Sequence, residues 1–294
     1  MKSEFWVAAH LTGLFEIIDQ SSELLKIGSR GAGISIQRGV TTSIQESDSS
    51  SVIVLFNEQQ QALSNSMVTV KIINLLVPER DQRNFLISHN FEVPTKSGFG
   101  ASAAGALGTA YCINEYFELD LSTLELFQVA HKAEVLTKSG LGDVIGLFQG
   151  GLEIRTKEGA PGYGKTIAMR KEDDWKFATV SLGTISTSSI LSDPVRRVSV
   201  NRTSSKLIEA LIKEPEFDHF VHYTSEFTRG VQLWSPQLQT ILTNLPTNVI
   251  GAQIMLGDAL FLFYHEEDEL AEVNISPDLI HPETICTTTI KRTS

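Results

Sequence analysis

The sequence predicts an α+β protein of two halves. The chain has 294 residues, about twice the length of a typical domain of ~150 residues. Strand-like runs and longer helical patterns are interspersed with no repeat of fixed period. The charged stretch Arg170–Asp174 interrupts them, so the expected division is residues 1–172 and 173–294.

The elements follow in order. Phe5–Ala9, Ile34–Gln37 and Val52–Phe56 read as strands, the last behind the turn-forming Gln45–Ser51. Met67–Val77 is apolar and stops at Pro78, which suits a helix or a buried strand; Asn84–Val93 reads as a strand ending at Pro94. Ser102–Phe117 carries Ala106, Ala110, Ile113 and Phe117 at helical spacing without an internal proline, so a helix is expected. Ser122 and Glu125 form a capping-box pair for a second helix reaching about Leu136. Asp143–Phe148 reads as a short helix, and Leu152–Thr156, Thr166–Met169 and Lys176–Leu182 as strands. The last third adds helices over Asp193–Pro215, Phe217–Val231 and Ser235–Leu245, then strands over Val249–Met255 and Ala259–Tyr264.

Composition narrows the function classes. With 41% hydrophobic and 20% charged residues, 21 Gly and only 9 Pro, the chain reads as globular. The longest apolar run, Ala259–Tyr264, is six residues, against the ~18 to 20 of a membrane-spanning helix. Met1-Lys2-Ser3-Glu4 lacks a signal-peptide pattern, so a cytoplasmic protein is expected. Cys112 and Cys286 cannot build a disulfide framework or a multi-cysteine metal site. A net charge of −11 argues against a sequence-independent nucleic-acid binder. A soluble enzyme or small-molecule binder remains.

Two glycine loops compete for a nucleotide phosphate. Gly159–Thr166 matches G-x-x-x-x-G-K-[ST]. The pattern needs a helix starting at the lysine, yet Thr166–Met169 runs straight into the charged turn and a further strand. A hairpin loop is therefore the expected role of Gly159–Thr166. Pro94–Ala104 instead follows a strand and opens the Ala-rich helix. Gly98 and Gly100 allow a tight turn, and Ala101, Ser102, Ala103 and Ala104 leave the helix N-terminus open to an anion. The Ser102 hydroxyl adds a group that can reach a phosphate or its metal. Close packing alone also explains such a loop. Gly98-x-Gly100-x-x-Ala103 fits the dinucleotide fingerprint too, with Glu118 placed 20 residues on. However, Glu118 ends the same helix region rather than a second parallel strand.

Pro94–Ala104 resembles the second motif of the GHMP kinases, P-x-x-x-G-L-G-S-S-A-A, with Phe99 for Leu and Ala101 for the first Ser. His10–Glu16, Lys26–Gly33, Ala130–Glu134, Ser139–Asp143, Gly159–Gly164, Ile185–Pro194 and Gln253–Gly257 extend the likeness. On this ordered series the chain is similar to the archaeal pantoate kinases. It departs where Ala8 and Ala9 replace the Pro-Gly of the first motif, where His10 stands for the usual Lys or Arg, and where the third motif has lost most of its glycines.

The resemblance implies a two-domain GHMP-kinase-like fold with the active site in the interdomain cleft. It implies an ATP-dependent kinase acting on the 4-hydroxyl of pantoate on the archaeal route to coenzyme A. Gly98, Phe99, Gly100, Ala101, Ser102 and Ala103 would hold the nucleotide phosphates, and Ser102 and Glu134 magnesium. Asp143 would be the base or the group that orients the acceptor hydroxyl; a helix cap is its plain structural alternative. Arg155 and His131 would anchor an anionic substrate, the guanidinium through its two-pronged fork, with Ser29, Arg30, His10 and Thr12 as further cleft residues. His131 and Glu134, three apart, project from one helix face. The rivals are a kinase for mevalonate or homoserine, and a catalytically inactive GHMP-fold binding protein. Pantoate and ATP are the expected partners, with no nucleic acid and no membrane; a homodimer is compatible with the reading.

Overall fold

In the computed structural model, which describes residues 2–49, 51–77, 84–184 and 193–294, two long strands organise the chain. β1 (Lys2–Ile18) and β2 (Gly28–Glu46) form an antiparallel ribbon from Lys2 opposite Gln45 to Ile18 opposite Gly28. Only Phe5–Ala9 and Ile34–Gln37 were legible as strands. Register shifts at Ala8/Ala9 and Thr12/Leu14 break the alternation of period two, and glycines at 28, 31, 33 and 39 remove its apolar members.

The far side of β2 is shared by two partners. Val40–Glu46 pair with β5 (Phe85–Phe91), whereas Gly31–Ile34 pair with β6 (Leu152–Lys157). β3 (Ile53–Phe56) runs parallel to β5 and carries β4 (Gln59–Gln60). β7 (Lys165–Ala168) pairs antiparallel with β6, so Gly159–Thr166 is the loop of a hairpin with Lys165 exposed. The second sheet is antiparallel, with β8 (Lys176–Gly183) and β10 (Asp258–Tyr264) between β11 (Ile280–Pro282) and β9 (Ile250–Gln253). β12 (Ile290–Arg292) then returns to cover the outer edge of β1. Neither β11 nor β12 was anticipated; three-residue strands are too short to show a pattern.

Among the described residues there are seven α-helices: α1 (Met67–Leu76), α2 (Ala101–Tyr116), α3 (Thr123–Thr137), α4 (Asp143–Gln149), α5 (Pro194–Lys213), α6 (Phe217–Val231) and α7 (Pro236–Thr243). Met67–Val77 thus resolves as helix. The Ser122–Glu125 capping box forms in full. The Ile185–Pro194 match falls largely outside the described residues, whose chain resumes where Asp193 caps α5. α2 packs its small-residue faces on β1 and β2, while α5 and α6 pack on β1 from the other half. Phe15 meets Phe227 edge-on, with ring centroids 6.0 Å apart. One core therefore runs through both halves and fixes their residues relative to β1. Among the described residues no helix is long and apolar enough to cross a membrane.

Beneath α2, buried His89 is held between two threonines, its Nδ1 2.9 Å from Thr42 Oγ1 and its Nε2 3.0 Å from Thr69 Oγ1. A neutral ring suits two hydroxyls, each able to donate or accept. Burial pushes its pKa down from 6.5 to about 4. The unfolded chain takes up this proton below about pH 6.5 and the folded chain does not, so the stabilising term is complete above that pH. It is lost as the pH falls towards 4, a contribution on the order of 3 kcal/mol. Thermal unfolding followed between pH 6.5 and 4 should show a smaller acid-side fall in Tm for His89→Gln than for the unsubstituted protein. Parallel curves would assign the acid sensitivity elsewhere.

Candidate active site

The segment from Pro94 to Gly100 joins β5 to α2. Its glycines take left-handed backbone conformations, φ +84° at Gly98 and +61° at Gly100. Gly100 is the N-cap of α2 and makes no side-chain cap bond, so the first amides of the helix stay available. The loop is braced from three sides. His10 N donates to Phe99 O at 3.3 Å, and Ser97 Oγ donates to Gly183 O at 2.8 Å. A side chain at Gly257 would begin 1.9 Å from Ser97 O, so that turn abuts the loop backbone directly. Phe99 and Ala103 point into the core, whereas Ser102 is exposed at the open helix end. Free amides, helix dipole and hydroxyl are the groups that anion binding at a helix N-terminus uses.

Two carboxylates stand beside it. Ser102 Oγ donates to Glu134 Oε1 at 2.5 Å, and Ser139 Oγ donates to the same oxygen at 2.7 Å. Burial pushes the Glu134 carboxyl up to about 7, with the Asp143 charge adding and the two hydroxyls opposing. For Asp143, burial also acts upward. The hydrogen bond and charge of His10, with lesser help from Arg155 and Thr12, outweigh it and hold the carboxyl below its usual range. Asp143 Oδ1 lies 2.9 Å from His10 Nδ1 and 3.4 Å from Thr12 Oγ1. The place where Gly140 lacks a side chain is bordered by Glu134 Oε2 and Asp143 Oδ2, at 2.2 and 3.5 Å. The N-cap of α4 is Gly142, which leaves Asp143 in the first turn rather than at the cap.

Arg155 forms the deep end of the cleft. It is fully buried, donating from Nη1 to Glu153 Oε1 and from Nη2 to Thr12 Oγ1 at 3.4 Å. Its Nε has no hydrogen-bond partner. That nitrogen and Ser29 Oγ meet under Gly142, where an added Cβ would lie 2.8 and 2.3 Å from them. A buried unpaired donor beside a hydroxyl is the chemistry of an anion anchor.

The cleft therefore gathers Gly98, Phe99, Gly100, Ala101 and Ser102 with Ser29, Asp143 and Arg155 along its wall. Glu134 and His10 stand directly behind through their bonds to Ser102 and Asp143. Two residues go elsewhere. Arg30, adjacent to Ser29 on a strand, pairs with Glu16 at 3.4 Å and with Glu209. His131 is buried, donating from Nε2 to Ile27 O at 2.9 Å, and burial lowers its pKa. It ties α3 to the start of β2. Sequence reasoning gave no role to Lys96, exposed at the rim with φ +58°, or to Ser139. It also missed Glu153. The i, i+2 spacing of Glu153 and Arg155, alternating with Leu152 and Ile154, signals two polar groups on one strand face.

The family described as GHMP kinases N terminal domain matches residues 67–151, the stretch from α1 through α4. The pantoate kinase of Thermococcus kodakarensis is 34% identical over 286 residues, covering 93% of this chain and 93% of its own. The pantoate kinase of Methanocaldococcus jannaschii is 30% identical, covering 88% and 91%. Among solved structures, a "Phosphotransferase related to CoA biosynthesis pathway" superposes with a TM-score of 0.88 at 30% identity, covering 100% of this chain and 99% of that one. A mevalonate diphosphate decarboxylase from Staphylococcus aureus, at 11% identity and a TM-score of 0.72, shares the α+β two-domain fold. Likeness over about nine-tenths of the chain, at these identities, means that the chain belongs to the pantoate kinase family of the GHMP kinases.

Proposed function

We propose that this chain is an ATP-dependent kinase that phosphorylates the 4-hydroxyl of pantoate to give 4-phosphopantoate for coenzyme A synthesis, acting in the cytoplasm. One observation carries the reading: an open helix N-terminus, the Asp143 carboxylate and a buried arginine line one cleft, with Glu134 directly behind Ser102. Phosphoryl transfer passes through a loose transition state, so the protein has chiefly to position the reactants and balance charge. The α2 amides and Ser102 would hold phosphate oxygens. Arg155 and Ser29 would hold the substrate carboxylate. Asp143 would then receive the hydroxyl with Oδ2, because Oδ1 is occupied by His10. We assign the nucleotide loop to residues 1–172 and the turn that braces it to residues 173–294.

The donor set suits magnesium. Ser102 Oγ and the Glu134 carboxylate are hard oxygen donors at the phosphate loop, and magnesium takes one or two protein oxygens beside those of phosphate. Among the described residues no group of three or more His, Cys, Asp or Glu forms a metal cage. When bound, magnesium supplies charge neutralisation on the transferring phosphoryl group.

A coupled assay of ADP release tests the substrate. Turnover is expected with pantoate; turnover with mevalonate or homoserine and none with pantoate would overturn the assignment. Arg155 is best probed as Arg155→Lys, because an apolar replacement would leave the Glu153 carboxylate buried without its guanidinium partner. Lysine keeps the charge and loses the fork, so KM for pantoate should rise about tenfold or more while kcat changes less. A pure kcat effect would move Arg155 to the transferring phosphate.

A further inference from the structure

Behind the cleft, buried His10 bridges two carboxylates. Its Nδ1 lies 2.9 Å from Asp143 Oδ1 and its Nε2 3.0 Å from Glu153 Oε1. Glu153 is itself fully buried and does not line the cleft. Its Oε1 accepts from both His10 and Arg155, and its Oε2 has no partner. We propose that Glu153 is a positioning residue for phosphoryl transfer: through His10 it sets the orientation and charge of Asp143, and through Arg155 it sets the anion-binding end of the same cleft. The inference rests on the reading of Asp143 as the carboxylate that receives the substrate hydroxyl.

The geometry leaves the ring little freedom. A Cβ at Gly33 would lie 2.6 Å from His10 Nε2, and one at Gly146 only 2.4 Å from it. Two bare backbone positions thus clamp the imidazole in plane between its partners. A neutral imidazole has one donor nitrogen and would turn a lone pair towards one carboxylate. Only the imidazolium donates to both. The charged groups facing the ring are Asp143 from α4, and Glu153 with Arg155 beside it from β6. Together they make a balanced set of two cations and two anions, which is how buried charge is tolerated. Burial would strip the second proton from His10, but the bonds and charges of Asp143 and Glu153 outweigh it, so its pKa is raised. Without the Glu153 charge, the ring loses one of the two groups that hold this proton, and Asp143 loses its cationic neighbour.

The test substitutes Glu153→Gln, which preserves shape and an oxygen that accepts from Arg155. The acid limb of the kcat-against-pH profile should move upward by about one pH unit, with KM for ATP little changed. In a His10→Gln background the same substitution should move the limb no further, because Glu153 acts through the ring. Nitrogen-15 NMR of histidine-labelled protein, with His10 assigned from the His10→Gln spectrum, should show both ring nitrogens protonated at pH 7 without substrate. A neutral His10 ring in that spectrum overturns the proposal, as does an unmoved pH profile in folded Glu153→Gln. If that variant does not fold, the spectrum of the unsubstituted protein decides. The spectrum needs no acceptor, so a failure of pantoate to turn over leaves this result separately readable.

Discussion

Replacing Asp143 with asparagine should lower kcat by about 10²-fold or more, the scale of losing a general base or its orienting equivalent. Asparagine keeps the shape and offers His10 an oxygen, but not the charge that faces the cleft. The fold should survive, since Gly142 rather than Asp143 caps α4 and asparagine keeps the size of the side chain and the oxygen that accepts from His10. Nucleotide affinity should also survive, because the α2 N-terminus is built from other residues. Circular dichroism with single-turnover kinetics separates these quantities. Near-normal kcat in Asp143→Asn would leave Asp143 as a favourable helix-start charge and nothing more.

The second large effect is expected at Ser102, and it is sharpest beside Lys165. Ser102→Ala removes the hydroxyl carried by the first turn of α2 and one of the two hydroxyl donors to Glu134. A loss of about 10²-fold in rate matches one preorganised contact to the transferring group, and alanine suits the first turn of a helix. Lys165 instead starts an exposed strand after the hairpin loop. Lys165→Ala should leave the rate nearly intact and alter stability by no more than about 0.5 kcal/mol. An inactive Lys165→Ala beside an active Ser102→Ala, both folded, would move the nucleotide to Gly159–Thr166 and sink the GHMP assignment of the site.

Local signals were the legible ones. The capping box at Ser122, the small residues opening α2 and the hairpin around Gly159–Thr166 each depend on a few neighbouring residues, and each forms as read. Ser29, Ser102 and Arg155 line one cleft. What stayed hidden depends on distant partners. The length of β1 and β2 is set by pairing across two bulges, and β12 exists because β1 has an edge to cover. Arg30 and His131 carry plausible chemistry at plausible spacing. Their direction is decided by Glu16 and Glu209 in one case and the Ile27 carbonyl in the other. Glu153 looks like any strand glutamate until β1 brings His10 over it.

The contact between Gly257 and the Ser97 carbonyl joins positions 160 residues apart in sequence. Gln253 stiffens the same turn by donating to Gly257 O at 2.8 Å. The third glycine segment can therefore shed its other glycines and still brace the loop before α2, as long as the one beneath that loop stays small. The two segments form a single packing unit. In a chimaera joining the first half of one relative to the second half of another, loop and turn would have to travel as a matched pair. A mismatch there would appear as weakened nucleotide binding, although no residue that touches phosphate had been altered.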